Sequence, residues 1–198
     1  MMAGSETDDL HDQILSAAKE LFSTQGYHGL SMRQIAESVG VSKAALYYHF
    51  KNKEQLFLAI LDAYLDEMEA MIDQVRAQEP SARGRIQRLV ENILSQPVAQ
   101  RSVIRLGSQE LAQLSPETKD AFDLAYEKKF TAKIDAIMQE GMASGELRPL
   151  SPNLATWSLL GMMFPYFYPV HLSHLHLPVG IVDQLVTIYL DGATNPEA

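Results

Sequence analysis

Residues 31–53, SMRQIAESVGVSKAALYYHFKNK, leave the surrounding chain few ways to fold. Ser31 followed three positions later by Gln34 is a capping box, so a helix should begin at Met32. Ile35 and Val39 recur four apart on one face, Ala36 lies beside them, and Gly40 follows where a left-handed residue can close the last turn. Ser42 then caps a second short helix, in which Leu46 and Phe50 again fall four apart. Two helices joined by about three residues cross steeply, which is the geometry of a helix-turn-helix. The outward face of the second helix carries Lys43, Ala44, Tyr47, Tyr48 and His49, with Lys51 and Lys53 directly after it.

These side chains suit a groove and its phosphates. Small alanines let a helix backbone approach base edges, while tyrosine hydroxyls and lysines reach phosphate oxygens. Arg33, Lys43, Lys51 and Lys53 oppose Glu37 alone, so the segment is positive on a chain whose net charge is −9. A basic patch on an acidic protein is a directed surface. From residue 54 onward acids outnumber bases 19 to 11, so that part should avoid DNA.

The run from Ile14 through Phe57, above all VSKAALYYHFKNKEQLF, resembles the DNA-binding domain of the tetracycline-repressor (TetR) family of bacterial transcription regulators. The likeness is strong over the first quarter of the chain; beyond it the helical layout and the turn GELRPLSP are similar. The resemblance implies an all-α homodimer on a palindromic double-stranded DNA operator, usually a repressor released by a small molecule. It also implies DNA contacts from Ser31, Arg33, Ser42, Lys43, Ala44, Tyr47, Tyr48, His49 and Lys53. Position 44, often glycine in the family, is alanine here.

With 198 residues, 46% of them apolar, the chain can bury a sizeable core in one domain or two small ones. The absence of cysteine excludes disulfides, thiolate metal sites and cysteine nucleophiles. The start, MMAGSETDDLHDQ, is acidic and lacks the apolar centre of a secretory signal, and residues 1–7 read as a loose tail. No run approaches the roughly 20 apolar residues of a membrane span. The expectation is a cytoplasmic, soluble protein with no membrane partner and no cofactor.

Helical periodicity continues throughout, giving about nine helices and no strand. Asp8 or Asp9 opens a first helix carrying Ile14, Ala18, Leu21 and Phe22, which Gly26 ends. Asn52 with Gln55 starts a rod to about Gln78, roughly 39 Å long at 1.5 Å per residue. Shorter helices are expected over 82–96 and 98–113. Ser115-Pro116-Glu117 opens a long one, whose end Gly141 and Gly145 loosen. Ser151-Pro152 opens the next, and the last runs over 179–192. The domain reading is a reading head at 8–53 and an effector-binding and dimerisation body at 54–198.

Recognition helices that enter successive major grooves must be held roughly 34 Å apart, so the body should dimerise. Its last two helices offer Leu159, Met163, Ile181, Leu185 and Ile188, with small Ala155 and Gly161 permitting close approach. Met138, Met142, Met162, Tyr126, Trp157, Phe164 and Phe167 gather soft and aromatic surface suited to an apolar or aromatic effector, or to a core. His171, His174 and His176 have metal-ligand chemistry, but no carboxylate stands near them and no metal is expected. Asp62 and Asp66 are spaced as paired carboxylates, yet no phosphate loop, HExxH, GxSxG or dinucleotide fingerprint accompanies them, and the chain does not read as an enzyme. The rival readings are an effector-independent architectural or cell-cycle DNA-binding factor, and a small-molecule-binding helical protein with a vestigial reading head.

Overall fold

The computed structural model describes residues 3–97, 100, 101, 103, 107, 109–111, 114–167 and 179–193. The described residues are helical with no strand, arranged as two compact units: residues 1–64 with 102–123, and residues 65–101 with 124–198. The elements are α1 (Ala3–Gln25), α2 (Met32–Val39), α3 (Lys43–His49), α4 (Lys53–Gln78), α5 (Ala82–Ser95), α6 (Pro116–Tyr126), a π-helical turn (Glu127–Thr131), α7 (Ala132–Ala143), α8 (Pro152–Met163), a 3-10 turn (Phe164–Phe167) and α9 (Ile181–Ala193). The histidines at 171, 174 and 176 lie outside the described residues.

The first unit is built on α1, α2, α3 and the start of α4. Ile14, Ala18 and Phe22 of α1 are fully or almost fully buried, together with Ile35, Ala36, Leu46, Leu56 and Phe57. Phe22, Tyr27 and Phe57 pack ring on ring, with centroids 5.0–5.7 Å apart. α1 begins at Ala3, ahead of the Asp8 start expected from the sequence, so residues 3–7 are helical rather than a loose tail. The later segment of this unit is tied back by Glu54, which accepts from the Ser115 amide at 2.6 Å, and by His28 Nε2 at 3.1 Å from Glu110.

In the second unit, Leu65, Met68, Ile72 and Val75 of α4 pack inward with Ile86, Leu89 and Ile93 of α5 and Ile134 and Ile137 of α7 also buried. Ion pairs staple α4 to the π turn and α7: Lys129 to Asp66 at 2.6 Å, Lys133 to Glu69 at 3.0 Å and to Asp73 at 2.8 Å. Asp66 is thereby engaged structurally. Glu140 joins Arg76 and Arg85, and the Arg76 hydrogen bond is the chief cause of its lowered pKa. Gly141 does not loosen α7. A Cβ there would come within 2.6 Å of Ala82 Cβ, so the glycine lets α5 and α7 approach.

Candidate functional site

The turn between α2 and α3 forms as its residue types dictate. Ser31 Oγ accepts from the Gln34 amide at 3.3 Å while Gln34 Oε1 accepts from the Ser31 amide at 2.9 Å, completing the capping box. Gly40, at φ 76°, closes α2 in the left-handed conformation. Ser42 Oγ accepts from the Ala45 amide at 3.0 Å and starts α3. Leu46 and Phe50 point into the core, and this fixes what points out.

Lys43, Ala44, Tyr47 and Tyr48 form that outward face. Tyr48 is 80% exposed and Tyr47 41%, and Lys43 Nζ stands 5.6 Å from the Tyr47 ring centre. Exposed Lys51 follows. Ser31 and Ser42 lie at the surface with their hydroxyls engaged in caps, and Arg33 is exposed but held by Glu37 at 2.7 Å. A large aromatic left in water beside cations, with a hydroxyl at its tip, is suited to a polyanionic partner.

Two of the expected DNA-facing residues turn elsewhere. Lys53 Nζ donates to the carbonyls of Tyr27 and Leu30, each at 2.9 Å, and sits 4.2 Å from the Tyr27 ring centre. Partial burial lowers its pKa. Its ammonium fastens the loop between α1 and α2 instead of projecting as a free phosphate ligand. His49 is half-buried, its ring 5.3 Å from Tyr48 and 6.0 Å from His11 of α1.

The second unit disperses the expected effector residues. Met138 is fully buried, and the Tyr189 hydroxyl lies 3.6 Å from its sulfur while donating to the Ala155 carbonyl at 3.0 Å. Tyr126 packs 5.3 Å from Phe130 and 6.3 Å from Trp157, and burial pushes its hydroxyl up to about 12. Phe167 is buried, Met142 and Met162 are half-buried, and Trp157 and Phe164 face out.

The expected interface residues divide in the same way. Leu159, Met163 and Leu185 are buried in the subunit's own core; Ile181 is half-buried and Ile188 is 65% exposed. The outward apolar stripe of α8 is Leu154, Trp157 and Gly161, continued by Phe164 of the 3-10 turn, with Leu154 61% exposed. No Cβ contact would arise within 4 Å at Gly161, so this face is open. The outward position of Leu154 is not legible in the sequence because α8 is apolar all round, which removes the polar face that would orient it. No helix of the described residues is long and apolar enough to cross a membrane, and among them no cluster of metal-ligating side chains occurs.

Residues 14–60 match the family profile of bacterial regulatory proteins of the tetR family, and residues 79–165 match the C-terminal domain described as tetracyclin repressor-like. The HTH-type transcriptional activator FasR of Mycolicibacterium smegmatis is 38% identical over 84 residues, which span 42% of this chain and 38% of FasR. The HTH-type transcriptional regulator YhgD of Bacillus subtilis is 27% identical over 179 residues, 89% of this chain and 92% of that one. The structure of AibR in complex with isovaleryl coenzyme A and operator DNA superposes with a TM-score of 0.73 at 28% identity, covering 90% of this chain and 97% of AibR.

Proposed function

The chain belongs to the TetR family of bacterial regulatory proteins, and from that premise we propose that it is a homodimeric transcription repressor released from a palindromic operator by a small apolar or aromatic effector. The observation that supports this best is the exposed face of Lys43, Ala44, Tyr47 and Tyr48, held out by the buried Leu46 and followed by Lys51. In this reading Lys43 and Ala44 meet base edges, while Tyr48, Lys51 and Arg33 meet phosphates. Residues 8–53 read the DNA, and residues 54–198 dimerise and bind the effector in the cytoplasm.

The dimer surface is the open stripe of α8 with Ile188 of α9. An apolar helix face without charges is what a two-fold helical contact requires. An acyl group is the effector class to try first, because AibR, which shares the fold over most of its length, was solved with isovaleryl coenzyme A. Effector and operator then oppose each other through a coupling of about 1–3 kcal/mol, or roughly 5- to 150-fold in operator affinity.

The test is to recover the genomic fragments that the purified protein retains, define the protected palindrome, and screen acyl compounds for release. Retention of one palindrome and its loss with one compound class is the expected result. Equal affinity for all duplexes would overturn the operator, and release by no compound would overturn the effector.

A further inference from the structure

The second unit buries a cation that no described carboxylate answers. Arg101 is 5% exposed, and its Nη1 donates to the Tyr166 carbonyl at 3.0 Å. Its Nε is shielded from solvent and has no hydrogen-bond partner. Burial pulls its pKa down, with no acidic group acting against it. By contrast, Arg76, Arg85 and Arg88 in the same unit each pair with a glutamate. A guanidinium taken out of water without an anion is strongly unfavourable, and it is retained most readily where a ligand supplies the missing charge.

Its position fits that role. Gln100 donates to Glu67 of α4 at 2.6 Å, and Gln96 Nε2 lies 3.6 Å from Met68 Sδ of the same helix. Tyr166 sits in the 3-10 turn between Phe164 and Phe167, two of the aromatic residues nominated for the effector. Arg101 thus holds the aromatic turn, and its chain neighbours Gln96 and Gln100 reach α4. A planar guanidinium pairs bidentately with a carboxylate or phosphate, a match that neither an amide nor an ammonium reproduces.

We propose that Arg101 recognises the charged end of the effector, which is an anionic amphiphile: a carboxylate or phosphate on an apolar body lying toward Phe167. This rests on the effector reading above and adds a charge to a ligand that reading describes only as apolar or aromatic.

Calorimetric titration of the full-length protein with decanoate, decyl phosphate and decanol tests it, the three probes sharing one chain. The preferred anion should bind roughly ten- to a hundredfold more tightly than decanol, and its identity separates carboxylate from phosphate. Arg101→Gln should abolish that preference while leaving decanol binding unchanged, and Arg101→Lys should retain part of it. Melting curves without ligand show whether each variant folds; if Arg101→Gln does not, a reduced anion preference in Arg101→Lys carries the same result. Decanol binding as tightly as both anions, or an undiminished anion preference in the folded variants, overturns the proposal, and Arg101 is then a strut for Tyr166. In that case the effector reading survives. Binding of none of the probes, with no compound releasing the operator, removes both.

Discussion

Large apolar side chains stand exposed on two surfaces of this protein, the outer face of α3 and the outer face of α8 with α9, and their settings differ. Tyr47 and Tyr48 end in hydroxyls and are flanked by Lys43 and Lys51. Leu154 and Trp157 sit on a helix with no charged residue, Phe164 opens the 3-10 turn that follows it, and Ile188 lies between Asp183 and Asp191. Exposure alone therefore does not name a partner. A hydroxyl-tipped, cationic face suits phosphate, whereas an uncharged one suits another apolar face and is held off a polyanion by its acidic neighbours.

The comparison breaks most visibly if the second face is charged. Leu154→Glu with Ile188→Glu should leave each subunit folded, since both side chains are exposed, yet yield monomers by light scattering. Because two half-sites are read together, operator affinity should fall by about a hundredfold or more in a gel shift. A persisting dimer would place the interface elsewhere.

Next in size is the contrast between the two sides of α9. Leu185 is 7% exposed and Ile188 points outward, so Leu185→Ala should cost about 2–5 kcal/mol in urea unfolding. Ile188→Ala should cost roughly 0.5 kcal/mol or less once the subunits are separated by the double variant's Leu154→Glu change. Equal losses would mean that α9 is rotated relative to this structure. On α3, Lys51→Ala should weaken every duplex about tenfold and make the salt dependence shallower by roughly 0.9, while Tyr48→Ala weakens binding without changing that slope. Lys43→Ala should alter the preferred sequence. A Lys51 variant with an unchanged slope would detach that residue from phosphate.

The two surfaces were unequally legible in the sequence. Ser31 with Gln34, Ser42 with Ala45, and Asn52 with Gln55 interact within three residues, so the sequence alone placed these helix starts. Leu46 and Phe50 then oriented α3, because its other side is polar. The helix α8 carries leucine, methionine or tryptophan on every side, and its periodicity shows a helix without showing which side faces in. The sequence reading therefore turns Leu159 and Met163 outward, whereas Leu154 and Trp157, roughly 140–160° round the helix from Leu159, hold that position. The π turn at 127–131 follows from nothing in EKKFT that distinguishes it from an ordinary helical run. Arg101 was illegible for a different reason: its isolation depends on which acids lie near it in space.

Lys53 gives the smallest effect and the sharpest limit on reading α3 by position. It follows Lys51 by two residues, yet it caps carbonyls 23 and 26 positions earlier in the chain, and such contacts leave no local trace. Lys53→Met preserves much of the stem while removing the ammonium, so it should lower stability by about 1 kcal/mol through two lost hydrogen bonds. If the ammonium only fastens the loop, the salt dependence of operator binding keeps its slope, and any loss of affinity is recovered at lower temperature as the loop orders. If the slope instead becomes shallower by the same roughly 0.9 as in the Lys51 variant, Lys53 releases the two carbonyls on DNA and its amine transfers to a phosphate. The cationic face would then extend past α3 onto the start of α4, widening its contrast with the uncharged face of α8.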